Sequence, residues 1–297
     1  SMAEDGKTPL PTLLEIAQGQ GKAVGLVTTS GITDATPAAF AAHLAKRSDE
    51  ASAAEQELQH RVDVLMGGRR QFFLPESAGG KRKDGRDLVA EARAAGYAYA
   101  STAEEMQAVG QTPLLGLFNT GNMSFELDRA RTQEPSLAAM TVKTLQLLSV
   151  SKKGFFAMIE GGRIDHAAHR NDAAATIRDT LAFDEAVGVA IDFAKAHPGT
   201  LVLVTADHET GGMAIIGHSK TSKDYVGADF KAIAGISASF EVVLKELGTK
   251  PTPERIRDAV KQHFAIDLTD AEVETVARDT IKSLDPANYN YDLLHSL

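Results

Sequence analysis

Short apolar runs alternate with longer, helically spaced stretches along most of this chain, and that alternation constrains its fold more than any other feature. "KAVGLVTT", "VDVLMGG", "PLLGLF", "GFFAMIE" and "TLVLVTAD" are nearly continuous in apolar and β-branched residues, the pattern of strands covered on both faces. Between several of them lie "PAAFAAHLAKR", "GRDLVAEARAAG", "LAAMTVKTLQLLS" and "DAAATIRDTLAFDEAVGVAIDFAKA", whose apolar residues recur at helical spacing. This βαβ rhythm predicts an α/β fold with a mostly parallel sheet flanked by helices on both faces. Near Gly217 the rhythm stops. Beyond it, "SFEVVLKELG", "TPERIRDAVKQHF" and "TDAEVETVARDTIKSL" read as three amphipathic helices, each opened by a Ser or Thr suited to capping it. The expected organisation is an α/β core over residues 1–217 followed by a helical insertion or subdomain over 218–297.

Composition narrows the chemistry. A net charge of −9 offers no basic field to attract nucleic acid or an anionic membrane. With no cysteine there are neither disulfides nor thiolate metal sites, which leaves His, Asp and Glu as ligands. No apolar run is long enough to span a membrane. No basic-then-apolar leader opens the sequence as it stands.

In open α/β sheets, ligands bind beyond the carboxyl ends of the strands, and three polar clusters follow the expected strands. In "IEGGRIDHAAHRND", a helix starting near Asp165 sets Asp165 and His169 at i and i+4, on one face and able to grip one ion. His166 stands beside them, and Glu160 is set apart by the Gly161-Gly162 turn. A helix start with acidic residues at its positive end and a solvated histidine fits the same letters. "VTADHETGG" puts Asp207 and His208 where an apolar run ends. Adjacent strand residues point to opposite faces, so a shared ion requires the chain to have begun turning, and the Thr-Gly-Gly that follows allows this. An exposed loop is the alternative, although two such clusters make coincidence harder to accept.

The third cluster, "TDATPAAFAAHLAKR", reads as a loop with Thr36 as N-cap, Pro37 at the first helical position and Arg47 about three turns on. Asp34 and Thr36 offer oxygens suited to Mg²⁺, and Arg47 a forked cation able to hold phosphate. A cap, a turn former and a surface charge are the plainer readings. His43 reads as an ordinary helix residue, and Ser30 as a turn serine that is also the best-placed internal nucleophile.

Taken in order, "TDATPAAFAAHLAKR", "EGGRIDHAAH" and "VTADHETGG" resemble the alkaline phosphatase family, and "TPLPTLLEIAQ", "DVLMGGR" and "PLLGLFNTGNM" resemble its intervening segments. The resemblance covers roughly residues 5–215 and, more loosely, the helical tail. It implies one zinc on Asp165 and His169, a second on Asp207 and His208, a magnesium on Thr36 and Glu160, and Arg47 on the phosphate oxygens. Asp34 and His166 match positions beside the site. The implied reaction is hydrolysis of small phosphate monoesters, in a protein that is periplasmic or secreted and often dimeric.

Two features of the family pattern have no counterpart in these letters. The family's serine nucleophile, with a bridging Asp, precedes the segment like "TPLPTLLEIAQ", and a further zinc-binding histidine follows near the C-terminus in a His-Thr-Gly context. His218 is the available stand-in for that histidine. The expectation is an internal piece, truncated at both ends, weakly active or inactive alone, and ending in mid-helix at "YNYDLLHSL". Other expectations compatible with the letters are a related phosphodiesterase, sulfatase or phosphoglycerate mutase, a non-catalytic metal- or phosphate-binding module, and a structural protein without metals.

Overall fold

The computed structural model describes residues 1–215, 218–221, 224–226 and 230–283, with the backbone alone at 218–221, 224–226 and 279–283. It forms two compact units. The first comprises Ser1–Ser124, Arg131–Arg163 and Leu181–Val204; the second joins Phe125–Ala130 and Ile164–Thr180 to the described residues from Thr205 onward.

The first unit follows the expected rhythm: α1 (Leu13–Gly19), β1 (Ala23–Gly31), α2 (Ala35–Ala41), α3 (Glu50–Gln59), β2 (Val64–Gly68), α4 (Leu88–Ala94), β3 (Ala98–Ala100), α5 (Ala103–Ala108), β4 (Leu114–Leu117), α6 (Leu137–Leu148) and β5 (Phe155–Glu160). The five strands form one sheet in the order β3-β4-β2-β1-β5, and every pairing in it is parallel. Side chains alternate across that sheet, as the pleat requires. Leu26, Leu65, Leu115 and Leu117 pack with Leu14 of α1, Ala41 of α2, Ala54 of α3 and Leu88 of α4. Val27, Val64, Met66 and Leu114 face the other way, onto Met106 of α5 and Met140 and Leu148 of α6. Both faces are thus covered, which is why these strands read as continuous apolar runs rather than alternating ones.

Close approach of the backbone fixes the end of β2. A Cβ at Gly68 would meet the Gly121 carbonyl oxygen and the Met123 amide nitrogen, neither of which can swing aside. Gly68→Ala should therefore destabilise the protein by about 1–2 kcal/mol, read as a lower urea midpoint at unchanged slope.

One expected strand is absent. "TLVLVTAD" makes no ladder among the described residues, and Leu201 and Leu203 are 79% and 82% exposed. An apolar run becomes a strand only where a neighbouring edge accepts its backbone hydrogen bonds, and no described strand does so here.

The chain continues through α7 (Arg163–His169) and α8 (Ala173–Ala196), whose later part carries Phe183 and Ala186 into the core of the first unit. The second unit adds a hairpin, β6 (His218–Thr221) with β7 (Asp224–Val226), and then α9 (Lys231–Ala234), α10 (Phe240–Leu247), α11 (Pro253–Phe264) and α12 (Asp270–Ser283). The hairpin was not expected, since the reading from Gly217 onward was helical. Residues 218–221, including His218, are strand, and the side chain of His218 lies outside the described residues. The end of the chain at "YNYDLLHSL" lies outside them too.

The three expected tail helices form as read. Ser239 accepts from the Val242 amide and Thr252 from the Arg255 amide. Thr269 and Glu272 cap α12 reciprocally. Val243, Leu247, Ile256, Val260 and Val273 close a separate apolar core between α10, α11 and α12. Within this unit, Asp172 accepts from the Ala175 amide at 3.0 Å and the Phe240 amide at 2.8 Å, linking the start of α8 to α10. Burial pushes the Asp172 carboxyl up, against the pull of those two hydrogen bonds.

Candidate functional site

Polar side chains gather at the carboxyl ends of β1, β2 and β5 in the first unit. Glu160 closes β5 opposite Thr28 of β1, and the Thr28 hydroxyl donates to Glu160 Oε2 at 2.6 Å. The Ser30 amide donates in turn to Thr28 Oγ1 at 3.0 Å. Ser30 is only 2% exposed, and a Cβ on Gly162 would come within 2.9 Å of its hydroxyl oxygen. Packing beneath Gly162 withholds that hydroxyl from a substrate arriving through solvent.

The loop after β1 departs from the expected geometry in two ways. Asp34, not Thr36, is the N-cap of α2, its carboxylate accepting from the Ala35 amide at 2.8 Å. Thr36 is therefore the second helical residue and half-buried, and Pro37 the third. Asp and Thr are both good caps, and the helix begins two residues earlier than the Pro implied. α2 also ends at Ala41, so Arg47 sits in a turn beyond it rather than on the helix. Its side chain is 76% exposed and approaches Asp34 Oδ1 at 3.3 Å.

Asp34 also has a partly buried partner that its own sequence neighbourhood does not reveal. Arg69, just after β2, reaches Asp34 Oδ2 at 3.1 Å, Glu50 Oε2 at 2.6 Å and Asn122 Oδ1 at 2.9 Å, with its side chain 13% exposed. It adopts a left-handed backbone, φ 61°, costly for a residue with a Cβ and held here by these bonds. The Gly-Gly that precedes it at a strand end was the available signal. Arg69 neutralises Asp34 from within, and Arg47 reaches it from solvent.

In the second unit, α7 places Asp165 and His169 one turn apart, as the spacing predicts: His169 Nε2 lies 3.5 Å from Asp165 Oδ2. The Thr210 hydroxyl donates to Asp165 Oδ1 at 2.7 Å and lies 3.1 Å from His208 Nδ1. His208 Nε2 is 3.3 Å from Asp207 Oδ2. The two acid–imidazole pairs, forty residues apart in sequence, are thus joined through one threonine hydroxyl. His166 is half-buried on α7.

The turn that unites them needs its glycines. Gly211 and Gly212 have φ of 78° and 73°, in the region that favours glycine. A Cβ on Gly211 would also strike the Ala168 carbonyl oxygen. Thr210 stands next to this turn, and its hydroxyl was not singled out from the letters, where Thr-Gly-Gly read only as a turn.

A family model described as alkaline phosphatase matches residues 2–267, nine-tenths of the chain. The chain belongs to the alkaline phosphatase family. Alkaline phosphatase 4 of Bacillus subtilis is 41% identical over 210 residues, covering 69% of this chain and 44% of that protein. The alkaline phosphatase of Thermus thermophilus superposes with a TM-score of 0.83 at 37% identity, covering 92% of this chain and 57% of that one. A mutant of the enzyme from the Antarctic bacterium TAB5, solved with Mg bound in the M3 site, has a TM-score of 0.63 at 31% identity over 76% of this chain and 64% of that one. The chain therefore spans about half the length of the alkaline phosphatases it matches. Its five-stranded parallel sheet with flanking helices is the fold of those neighbours. No helix among the described residues is long and apolar enough to cross a membrane.

Proposed function

We propose that this chain supplies the metal-holding and phosphate-holding residues of an alkaline phosphatase acting on small phosphate monoesters. The observation that carries this reading is the linked set His169–Asp165–Thr210–His208–Asp207, gathered in one compact unit. Its donors are imidazole nitrogens and carboxylate oxygens, the set zinc accepts in the absence of thiolate. Their side-chain exposures, from 39% at Asp165 to 80% at Asp207, leave them reachable by ions and substrate. The residues present therefore fit two zinc ions, one on Asp165 and His169 and the other on Asp207 and His208. When bound, such a pair supplies an activated nucleophile and charge stabilisation at the leaving oxygen.

The protein's own part is positioning. Thr210 donates to one oxygen of Asp165, which fixes the carboxylate and turns its other oxygen toward His169. Thr28 does the same for Glu160, which with Thr36 is the proposed magnesium pair; the magnesium in the TAB5 mutant shows that a relative takes this ion. Asp34 caps the helix that carries Thr36, and His166 follows Asp165 on α7. Arg47, exposed and held by a single 3.3 Å contact, can leave Asp34 for a phosphate oxygen, whereas Arg69 remains to balance the carboxylate.

Arg47→Ala should raise KM for a phosphate monoester about tenfold or more, equivalent to ~1.5–3 kcal/mol for a hydrogen bond to a charged group. Lysine at this position should recover only part of the loss, because it lacks the fork. Initial rates against substrate concentration check both. Export to the periplasm or beyond, and assembly as a homodimer, are part of the same reading and come from the family resemblance.

The reaction class is tested by offering 4-nitrophenyl phosphate, bis(4-nitrophenyl) phosphate and 4-nitrophenyl sulfate to the protein with zinc and magnesium, each with a chelator control. Chelator-sensitive preference for the monoester supports the proposal. Preference for the diester or the sulfate assigns a related hydrolase instead. Zinc binding with no turnover of any ester contradicts hydrolysis by this chain alone, and leaves its metal-holding residues to be judged by the zinc-binding variants.

A further inference from the structure

A second group of ligating side chains lies in the first unit, among residues the proposed reaction does not use. Glu15 of α1, His43 beyond α2 and His60 at the end of α3 bring one donor atom each to within 4.8 Å of one another. It is the single such group of three or more found among the described residues. His43 Nε2 is 2.9 Å from Glu15 Oε1, and His60 Nδ1 is 3.9 Å from that same oxygen.

The hydrogen bonding around His43 makes this contact informative. His43 Nδ1 lies 2.7 Å from the Ser1 carbonyl oxygen, which can only accept, so Nδ1 carries a proton. Its other nitrogen then turns toward a carboxylate oxygen, which also only accepts. Two acceptors at 2.9 Å need a cation between or upon them, either a proton completing an imidazolium or a metal ion. A ring that donates through one nitrogen to a carbonyl and presents the other inward is the usual arrangement of a metal-bound histidine.

The Glu15 carboxylate is fastened from behind, and the backbones of His43 and His60 are held in place. Glu15 Oε2 accepts from the Thr12 amide at 2.8 Å in the capping box of α1, which leaves Oε1 to face the histidines. The His43 amide donates to Gln56 Oε1 at 2.8 Å, and Gln18 Nε2 donates to the His60 carbonyl at 2.7 Å. Side-chain exposures of 15% at His43, 27% at Glu15 and 26% at His60 leave them partly shielded but open to ions.

We propose that Glu15, His43 and His60 form a zinc-type site of two imidazoles and one carboxylate. Ligands around a tetrahedral ion at about 2.0–2.1 Å stand roughly 3.3 Å apart, so the 2.9 Å contact must open and the 3.9 Å one close by fractions of an ångström. Beside these donors lies a cleft of about 300 Å³ lined by Pro9, Pro11, Ile16 and the two ligands Glu15 and His43, room enough for water or a small anion to complete the shell. The bound ion would clamp α1, the segment after α2 and the end of α3 together.

The test uses the full chain stripped of metal and titrated with zinc, alongside His60→Ala. The ring resonances of His43 and His60 in the parent should move together on zinc addition. His60→Ala should bind one zinc fewer per chain at concentrations that fill the parent, with affinity at this site lowered more than about 100-fold, beyond what loss of an outer partner costs. Unmoved His43 and His60 resonances at saturating zinc would overturn the proposal and leave a proton as the shared cation, as would an unchanged stoichiometry in a folded His60→Ala. Asp165→Ala leaves this site intact, so its failure and a failure of the phosphatase reading can be told apart.

Discussion

Asp165→Ala is expected to abolish tight zinc binding at the pair it forms with His169 and to lower phosphate monoester turnover about a thousandfold, equivalent to ~4 kcal/mol of transition-state stabilisation. The size follows from how much converges on this carboxylate. Oδ2 faces His169 at 3.5 Å, and Oδ1 accepts from Thr210, which itself lies 3.1 Å from His208. Removing the carboxylate takes a ligand from one imidazole and an anchor from the loop carrying the other pair. Thr210→Val, which keeps the shape and deletes the hydroxyl, should cost less, about 10–100-fold in zinc affinity, as loss of an outer partner does. Competition with a chelating indicator measures the affinities. Thermal unfolding without metal separates them from any folding defect, which should be small because Asp165 is 39% exposed.

The second large effect concerns stability and pH. Glu57 on α3 is fully buried, and neither of its carboxylate oxygens has a hydrogen-bond partner. Burial, with the nearby Glu50 charge, raises its pKa well above the usual carboxylate range. A carboxyl raised in the folded state stabilises fully below its unfolded value, near 4.5. That contribution is lost as pH rises through the folded value, because the folded chain resists releasing the proton. Stability should therefore decline toward alkaline pH. Glu57→Met, close in volume and apolar, should remove the decline and raise stability at pH 9 by about 3 kcal/mol, with a smaller gain at pH 5. Urea unfolding at the two pH values checks this, and an equal change at both would show that the carboxyl is not the cause.

What the letters could and could not show follows from the range of the forces involved. The parallel sheet was legible because strands covered on both faces, such as Val64–Gly68 and Leu114–Leu117, must be apolar throughout. Asp165 and His169 were legible as neighbours because the helical repeat alone sets them one turn apart. The caps Ser239, Thr252 and Thr269 act over three residues and could be read in the same way. Strand β3, three residues long, carries too little pattern to stand out. The run at 201–206 has the composition of a strand, but a ladder is a property of two segments and no described partner offers one. Arg69 meets Asp34, Glu50 and Asn122 only through tertiary folding. Nothing in "AAEQELQH" distinguishes the buried Glu57 from the half-buried Glu55 two residues before it. His43, read as an ordinary helix residue, lies beyond the helix and meets Glu15 and His60 across three elements.

The measurement that bears most directly on this account is the zinc held per chain at equilibrium with buffered free zinc, for the parent and for the double substitution Asp165→Ala with Asp207→Ala. Being a difference, it is unaffected by any zinc at Glu15, His43 and His60. Two fewer zinc ions are expected in the double variant, with circular dichroism unchanged. Equal zinc in the two proteins would contradict this, because the linked acid–imidazole pairs would then hold each other rather than metal.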